Sequence, residues 1–126
     1  MAKIFLVEDD LNLAELTKIA LVKNGYEVEV FHEAPEAIEE AKKSKVDLIL
    51  MDIMLPELGG EEAVRELRDD PRSRYIPVIF LTGLISSVEG NIERTGIMVD
   101  GVNYKTLGKP YEIDQLLEAV KSVVKV

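Results

Sequence analysis

Short apolar runs alternate with helically spaced apolar positions along this 126-residue chain. Residues 3–8 read as a strand. Over 11–24, Leu13, Leu16, Ala20 and Leu21 recur at helical spacing, and Asn24-Gly25 supplies a stop. Glu27–Phe31 alternates polar with apolar residues through Val28 and Val30, the mark of a second strand. Pro35 suits the first turn of a helix over about 35–44, packed through Ala37, Ile38 and Ala41. Val46–Met51 is an apolar strand, and 61–69 is a helix with Ala63, Val64 and Leu67 turned inward. Pro77–Leu81 is another apolar strand. Leu84–Arg94 reads as a helix weakened by Ser86, Ser87, Gly90 and Asn91. Beyond it, Ile97-Met98-Val99 and Val102-Asn103-Tyr104 flank Asp100-Gly101. An Asp-Gly pair between apolar runs predicts a small β-hairpin over 97–104, feeding a fifth strand over Tyr104–Leu107. The last helix carries a stripe of Ile113, Leu116, Leu117, Val120 and Val124.

Strands and helices that alternate with short connections build a parallel sheet covered on both faces. Five of each fit an α/β three-layer sandwich of flavodoxin-like (βα)5 type, with sheet order 2-1-3-4-5. The length suits a single domain over residues 1–126. There is no internal repeat, linker or low-complexity stretch.

Composition narrows the function. Apolar residues make up 47% of the chain, which supports a packed core rather than disorder. A net charge of −9 argues against a nucleic-acid surface, though not against a basic protein partner. The absence of cysteine excludes disulfides, thiolate metal sites and a cysteine nucleophile. No apolar run approaches the roughly 18 residues that cross a bilayer. The first strand begins almost at once, without room for a signal peptide, so a cytoplasmic location is expected.

The most informative chemistry lies where two apolar strands run into acid. Residues 3–7 lead into Glu8-Asp9-Asp10, and residues 46–51 lead into Asp52. Parallel strands end on one edge of the sheet, so these carboxylates converge there, at the point where strand order reverses. Carboxylates that close repel unless a cation sits among them, and a hard divalent ion such as Mg²⁺ suits oxygen donors. The pattern points to a metal-assisted phosphate site. Thr82 closes the apolar run 78–81, Lys109-Pro110 follows the fifth strand, and Pro56 and Gly60 follow Asp52 by four and eight residues.

Glu8-Asp9, Asp52 to Pro56 with Gly60, Thr82-Gly83 and Lys109-Pro110 stand in the order and on the strand ends of one family. Over essentially its whole length the chain resembles the receiver domain of bacterial two-component response regulators. The resemblance implies that Asp52 is the phosphoacceptor for a phosphoryl group carried on a histidine. It implies Mg²⁺ held by Glu8, Asp9, Asp52 and the backbone carbonyl of Met54. Asp10 would begin the helix, Thr82 would hydrogen-bond the phosphoryl group, and Lys109 would pair with it. A sensor histidine kinase or phosphotransfer protein would be the donor. A downstream protein or a fused output domain would be the recipient of the signal, and the resemblance allows a homodimer through the face formed by residues 84–126. The sequence is compatible both with a stand-alone receiver and with one excised from a longer regulator or hybrid kinase. Such a domain is a phosphoacceptor rather than an enzyme, with at most slow self-dephosphorylation. Met54 and Leu84, two residues beyond the acceptor and the threonine, are apolar and poor at orienting an attacking water.

Each residue also has a plainer reading. The acidic trio can cap a helix, Asp52 can form a strand-end turn, Thr82 can pack, Lys109 can be a solvated lysine, and Pro56 and Gly60 can be loop punctuation. Those readings must hold together at family spacing. His32, the only histidine, reads as a surface residue away from the acidic edge. The chain departs from the family in two places. The interval from Thr82 to Lys109 is longer than is usual in the family, by about five residues, and the extra length falls in the hairpin region. The aromatic expected three residues before the lysine is replaced by Thr106, and Tyr104 is its candidate substitute if alternation places both on one strand face. A pseudo-receiver that signals by contact without phosphorylation is the alternative. A haloacid-dehalogenase-like phosphatase would need a second aspartate where Met54 stands. Neither glycine-rich nucleotide motif is present.

Overall fold

The structure, a computed structural model, describes residues 1–55, 58–83 and 97–124. Its elements are β1 (Lys3–Val7), α1 (Leu11–Lys23), β2 (Glu27–Phe31), α2 (Ala34–Ala41), β3 (Leu48–Asp52), α3 (Gly60–Asp69), β4 (Val78–Thr82), β5 (Ile97–Val99), β6 (Val102–Tyr104), β7 (Thr106–Gly108) and α4 (Ile113–Lys121). β2-β1-β3-β4-β7 form one sheet, and every neighbouring pair is parallel. This is the order expected from the sequence, with the fifth sheet strand being β7.

β1, β3 and β4 are almost wholly buried because both faces of the sheet are covered. Side chains alternate between two apolar layers. Phe5, Val7, Ile49, Met51, Val78 and Phe80 pack towards α2 and α3. Ile4, Leu6, Leu48, Leu50, Ile79 and Leu81 pack towards α1 and α4. Ala37, Ile38 and Ala41 on α2 and Ala63, Val64 and Leu67 on α3 face inward, as their spacing predicts. Two positions differ. Leu16 is 65% exposed and Ile113 is 55% exposed. α1 is apolar around much of its circumference, so periodicity alone does not choose its inner face. Packing selects Ala14, Thr17, Ala20 and Leu21.

The hairpin expected around Asp100-Gly101 forms, with β5 and β6 antiparallel and Val99 opposite Val102. Asp100 (φ 51°) and Gly101 (φ 84°) both adopt the left-handed region, as the two-residue turn favoured by twisted strands requires. Arg65 on α3 holds the turn through Asp100 at 3.2 Å. The fifth-strand bounds need correction. Tyr104 ends β6, and the sheet strand is Thr106–Gly108, paired with Phe80–Thr82. At Lys105 the chain leaves an antiparallel partner for a parallel one, so Tyr104 and Thr106 lie on different strands. The helix expected over Leu84–Arg94, and Leu84 with it, lies outside the described residues, as does Pro56. Among the described residues there are four helices, and none is long and apolar enough to cross a membrane.

Gly60 shows why the loop after β3 needs glycine. Its N–H donates to the Ile53 carbonyl at 3.0 Å. A Cβ there would lie 2.8 Å from Phe80 Cε1 and 2.9 Å from Ile53 Cα. Gly60→Ala is therefore expected to cost about 1–3 kcal/mol, the usual range for overpacking, seen as a lower midpoint in urea with an unchanged slope.

Candidate functional site

β1 and β3 are neighbours, and their carboxyl ends bring Glu8 and Asp52 to one edge. The Glu8 N–H donates to the Phe31 carbonyl at 2.9 Å, which continues the β1–β2 ladder one residue beyond the strand. The chain then turns into α1, and Asp10 caps that helix by accepting from the Leu13 N–H at 3.1 Å. Asp10 thus begins the helix as expected and leaves Glu8 and Asp9 to face the crevice.

Glu8 is 1% exposed and Asp52 is 6% exposed, whereas Asp9 is open to solvent. Carboxylate oxygens of Glu8, Asp9 and Asp52 all lie within 4.8 Å of one another. Two carboxylates this buried need compensation. Lys109 supplies it, with Nζ 2.6 Å from Glu8 Oε1 and 2.5 Å from Asp52 Oδ2. The remaining oxygens are also used. Glu8 Oε2 accepts from the Asp10 N–H at 3.1 Å, and Asp52 Oδ1 accepts from the Met54 N–H at 2.8 Å.

Sequence neighbours set the reach of Lys109. Its N–H donates to the Thr82 carbonyl at 2.9 Å, which ties it to the end of β4. Thr82 itself is buried and lies opposite Gly108. The Lys109–Pro110 peptide is cis. Tyr111 then packs back towards α1, where its hydroxyl meets that of Thr17 at 2.7 Å. Four strand ends therefore place Glu8, Asp52, Thr82 and Lys109 around one crevice.

Burial pushes the Glu8 carboxyl above its ordinary range. The Lys109 ammonium and the Asp10 amide pull it back, and Asp52 adds to the rise. Burial alone would lower Lys109, but Asp52 and Glu8 outweigh that and hold its ammonium above the ordinary value. Lys109 is therefore a fixed positive charge at any ordinary pH. The donor set is all oxygen and anionic, the chemistry preferred by Mg²⁺ over softer metals.

The structure brings together Glu8, Asp9, Asp52 and Lys109, with Thr82 beside them. Met54 contributes its amide to Asp52 and leaves its side chain 64% exposed. His32 corrects the sequence reading. Its ring is exposed but lies at this edge, with Nδ1 2.9 Å from the Glu8 carbonyl oxygen. The signal was available, since a parallel β2 must end on the same edge as β1. Tyr104 is buried, with its ring edge-on to Phe80 at 5.7 Å and its hydroxyl accepting from Arg68 Nε at 3.0 Å. Thr106, at the family's aromatic position, is also buried, and its hydroxyl has no hydrogen-bond partner among the described residues.

Comparison with known proteins gives a consistent picture. A family model described as the response regulator receiver domain matches residues 4–121. The transcriptional regulatory protein TrcR of Mycobacterium tuberculosis is 32% identical over 123 residues, which is 98% of this chain and 45% of that protein. The chain spans about half the length of most of the curated relatives it matches. The polar-differentiation response regulator DivK of Brucella anthropi differs in this respect. It is 34% identical over 119 residues, covering 94% of this chain and 93% of that protein. Among solved structures, the receiver domain of the sensor histidine kinase PA1611 from Pseudomonas aeruginosa, with a magnesium ion in its active-site cleft, superposes with TM-score 0.81. It is 27% identical, covering 97% of this chain and 96% of that one. The chemotaxis protein CheY4 of Vibrio cholerae superposes with TM-score 0.82 at 27% identity, covering 98% and 99%.

Proposed function

The chain belongs to the response regulator receiver domain family, and on that premise we propose that it is a phosphorylation switch in a His-to-Asp relay, with Asp52 as the acceptor. The observation that carries this reading is the convergence of Asp52 with Glu8, Asp9 and Lys109 at one sheet edge. Glu8, Asp9, Asp52 and the Met54 carbonyl are the groups that would hold Mg²⁺. When bound, the metal offsets repulsion between the anionic acceptor and an anionic phosphoryl group.

The chain's own residues do the rest. An Asp52 carboxylate oxygen forms the new bond to phosphorus as the bond from phosphorus to the donor's imidazole nitrogen breaks, and the imidazole leaves with its electron pair. Lys109 is already within reach of Asp52, so its ammonium moves a short way to pair with a phosphoryl oxygen. Thr82 offers a hydroxyl from the end of β4. Burial of Asp52 limits access of competing water. The incoming charge redistributes the contacts of Thr82 and Lys109, and this biases the protein between two surface states.

The donor would be a histidine kinase or a phosphotransfer protein, and the recipient a downstream protein or an attached output domain. The expected homodimer face over 84–126 falls partly outside the described residues. Signalling without phosphorylation is the second reading. The hairpin β5–β6 and Thr106 at the aromatic position favour it, because both alter the segment that would relay the switch.

Incubation with acetyl phosphate and Mg²⁺, followed by intact mass, separates the two readings. One labile phosphoryl adduct that disappears with a chelator supports the acceptor. A Mg²⁺-saturated protein that takes phosphate neither from acetyl phosphate nor from a phosphohistidine donor supports the scaffold. The exposed Met54 side chain has no group to orient a water beside Asp52. The adduct is therefore expected to persist for minutes or longer after the donor is removed, and decay within seconds would contradict this.

A further inference from the structure

A groove of about 420 Å³ lies between α3, the hairpin and the loop that enters β4. Arg65, Arg68 and Arg74 line it, against Asp100 as the single acid. Asp100 is already paired with Arg65, which also holds Glu62 at 2.7 Å. Arg68 and Arg74 differ. Among the described residues Arg68 donates only to neutral acceptors, the Tyr104 hydroxyl at 3.0 Å and the Arg74 carbonyl at 2.9 Å. The Arg74 side chain stands in solvent and forms no ion pair among the described residues. Between these guanidinium groups the lining is apolar or aromatic. Tyr75 is 66% exposed and Val102 is 52% exposed.

Two uncompensated arginines beside exposed apolar surface are unusual in a protein of net charge −9. Arginine forks suit carboxylates, and aromatic and arginine side chains are the common anchors of protein interfaces. We propose that this groove is a docking site for an acidic peptide segment of a partner protein, with carboxylates on Arg68 and Arg74 and an aliphatic or aromatic side chain against Tyr75 and Val102. The geometry fits. Arg68 lies over the Tyr104 ring at 5.5 Å and is held by two hydrogen bonds, so it is preorganised and loses little freedom on binding. The groove lies at the amino end of β4, roughly 13 Å along the strand from Thr82, so occupancy does not obstruct the acidic crevice. The proposal does not rest on Asp52 accepting phosphate.

The test is a titration of the ¹⁵N-labelled full chain with a synthetic hexapeptide that alternates aspartate with phenylalanine and leucine. A counterpart with asparagine in place of aspartate serves as the control. The expected result is saturable amide shifts confined to the lining of the groove, with binding about tenfold weaker for the amide counterpart, as loss of charge-assisted hydrogen bonds predicts. Arg74→Gln should weaken binding similarly. Because that side chain makes no hydrogen bond or ion pair among the described residues, the variant is expected to keep the fold. Arg68→Gln should weaken binding further. Shifts that do not saturate, equal affinity for both peptides, or no effect of Arg74→Gln would overturn the proposal. So would concentration-dependent dimerisation abolished by Arg74→Gln, which would give the groove to a second copy of the chain.

Discussion

Asp52→Asn is expected to abolish phosphoryl uptake from both acetyl phosphate and a phosphohistidine donor while leaving the protein folded. The carboxylamide is nearly isosteric, but it carries no anionic oxygen to attack phosphorus. Its carbonyl oxygen can still accept the Met54 N–H that Asp52 Oδ1 holds at 2.8 Å. Lys109 retains Glu8 as a partner at 2.6 Å, so the crevice is not left with an unpaired buried charge. The expected signature is therefore a loss of chemistry without a matching loss of stability. A residual adduct on Asp9, the exposed carboxylate of the same cluster, would show that the acceptor role is not confined to Asp52.

Lys109→Met acts in the opposite way, on stability as much as on chemistry. It strands Glu8 and Asp52, both more than nine-tenths buried, with no cation between them. Removing one partner of a buried ion pair costs about 3–5 kcal/mol, and the partial exposure of the Lys109 side chain places this variant near about 3 kcal/mol in metal-free buffer at neutral pH. The pH dependence has a definite sign. The Glu8 carboxyl already stands above its ordinary 4.5 because of burial, and without Lys109 it rises further. A carboxyl raised in the folded state binds more protons there than in the unfolded chain, so the variant gains stability as pH falls through the raised value. In the wild-type protein the Lys109 ammonium is raised above 10.5. Its contribution is complete below that value and is lost as pH rises through the folded one, so the gap between the two proteins closes at strongly alkaline pH. Added Mg²⁺ should restore the variant more than the wild type, because an ion there replaces the missing charge. Urea midpoints with and without Mg²⁺ at several pH values measure all of this. A Lys109→Met protein as stable as wild type in metal-free neutral buffer would show that the ammonium does not hold the crevice together.

Much of the sheet and most of the site could be read from the sequence because they rest on local rules. Apolar strands buried on both faces leave uninterrupted runs, and parallel pairing then forces Glu8 and Asp52 to one edge. Asp100-Gly101 is one of the few residue pairs suited to two successive left-handed backbones, so the hairpin is legible in the sequence. The points missed depend on tertiary choices that periodicity does not record. Leu16 fits a helical stripe, yet the packed face of α1 runs through Ala14, Thr17 and Leu21. Tyr104 and Thr106 keep the two-residue alternation of a strand, but the chain changes partners between them, and alternation carries no information about partners. The Thr17–Tyr111 contact joins residues 94 apart in sequence, and nothing local announces it. His32 is a different case, since parallel topology alone puts the end of β2 beside Glu8.

An acyl phosphate on Asp52 can be trapped directly. The full chain is incubated with Mg²⁺ and a phosphohistidine donor, reduced with borohydride and mapped by peptide mass. Borohydride cleaves an acyl phosphate to the alcohol, so a phosphorylated aspartate becomes homoserine. The account predicts homoserine at position 52 alone, dependent on Mg²⁺. Homoserine at another carboxylate, or none after exposure to a competent donor, would contradict it.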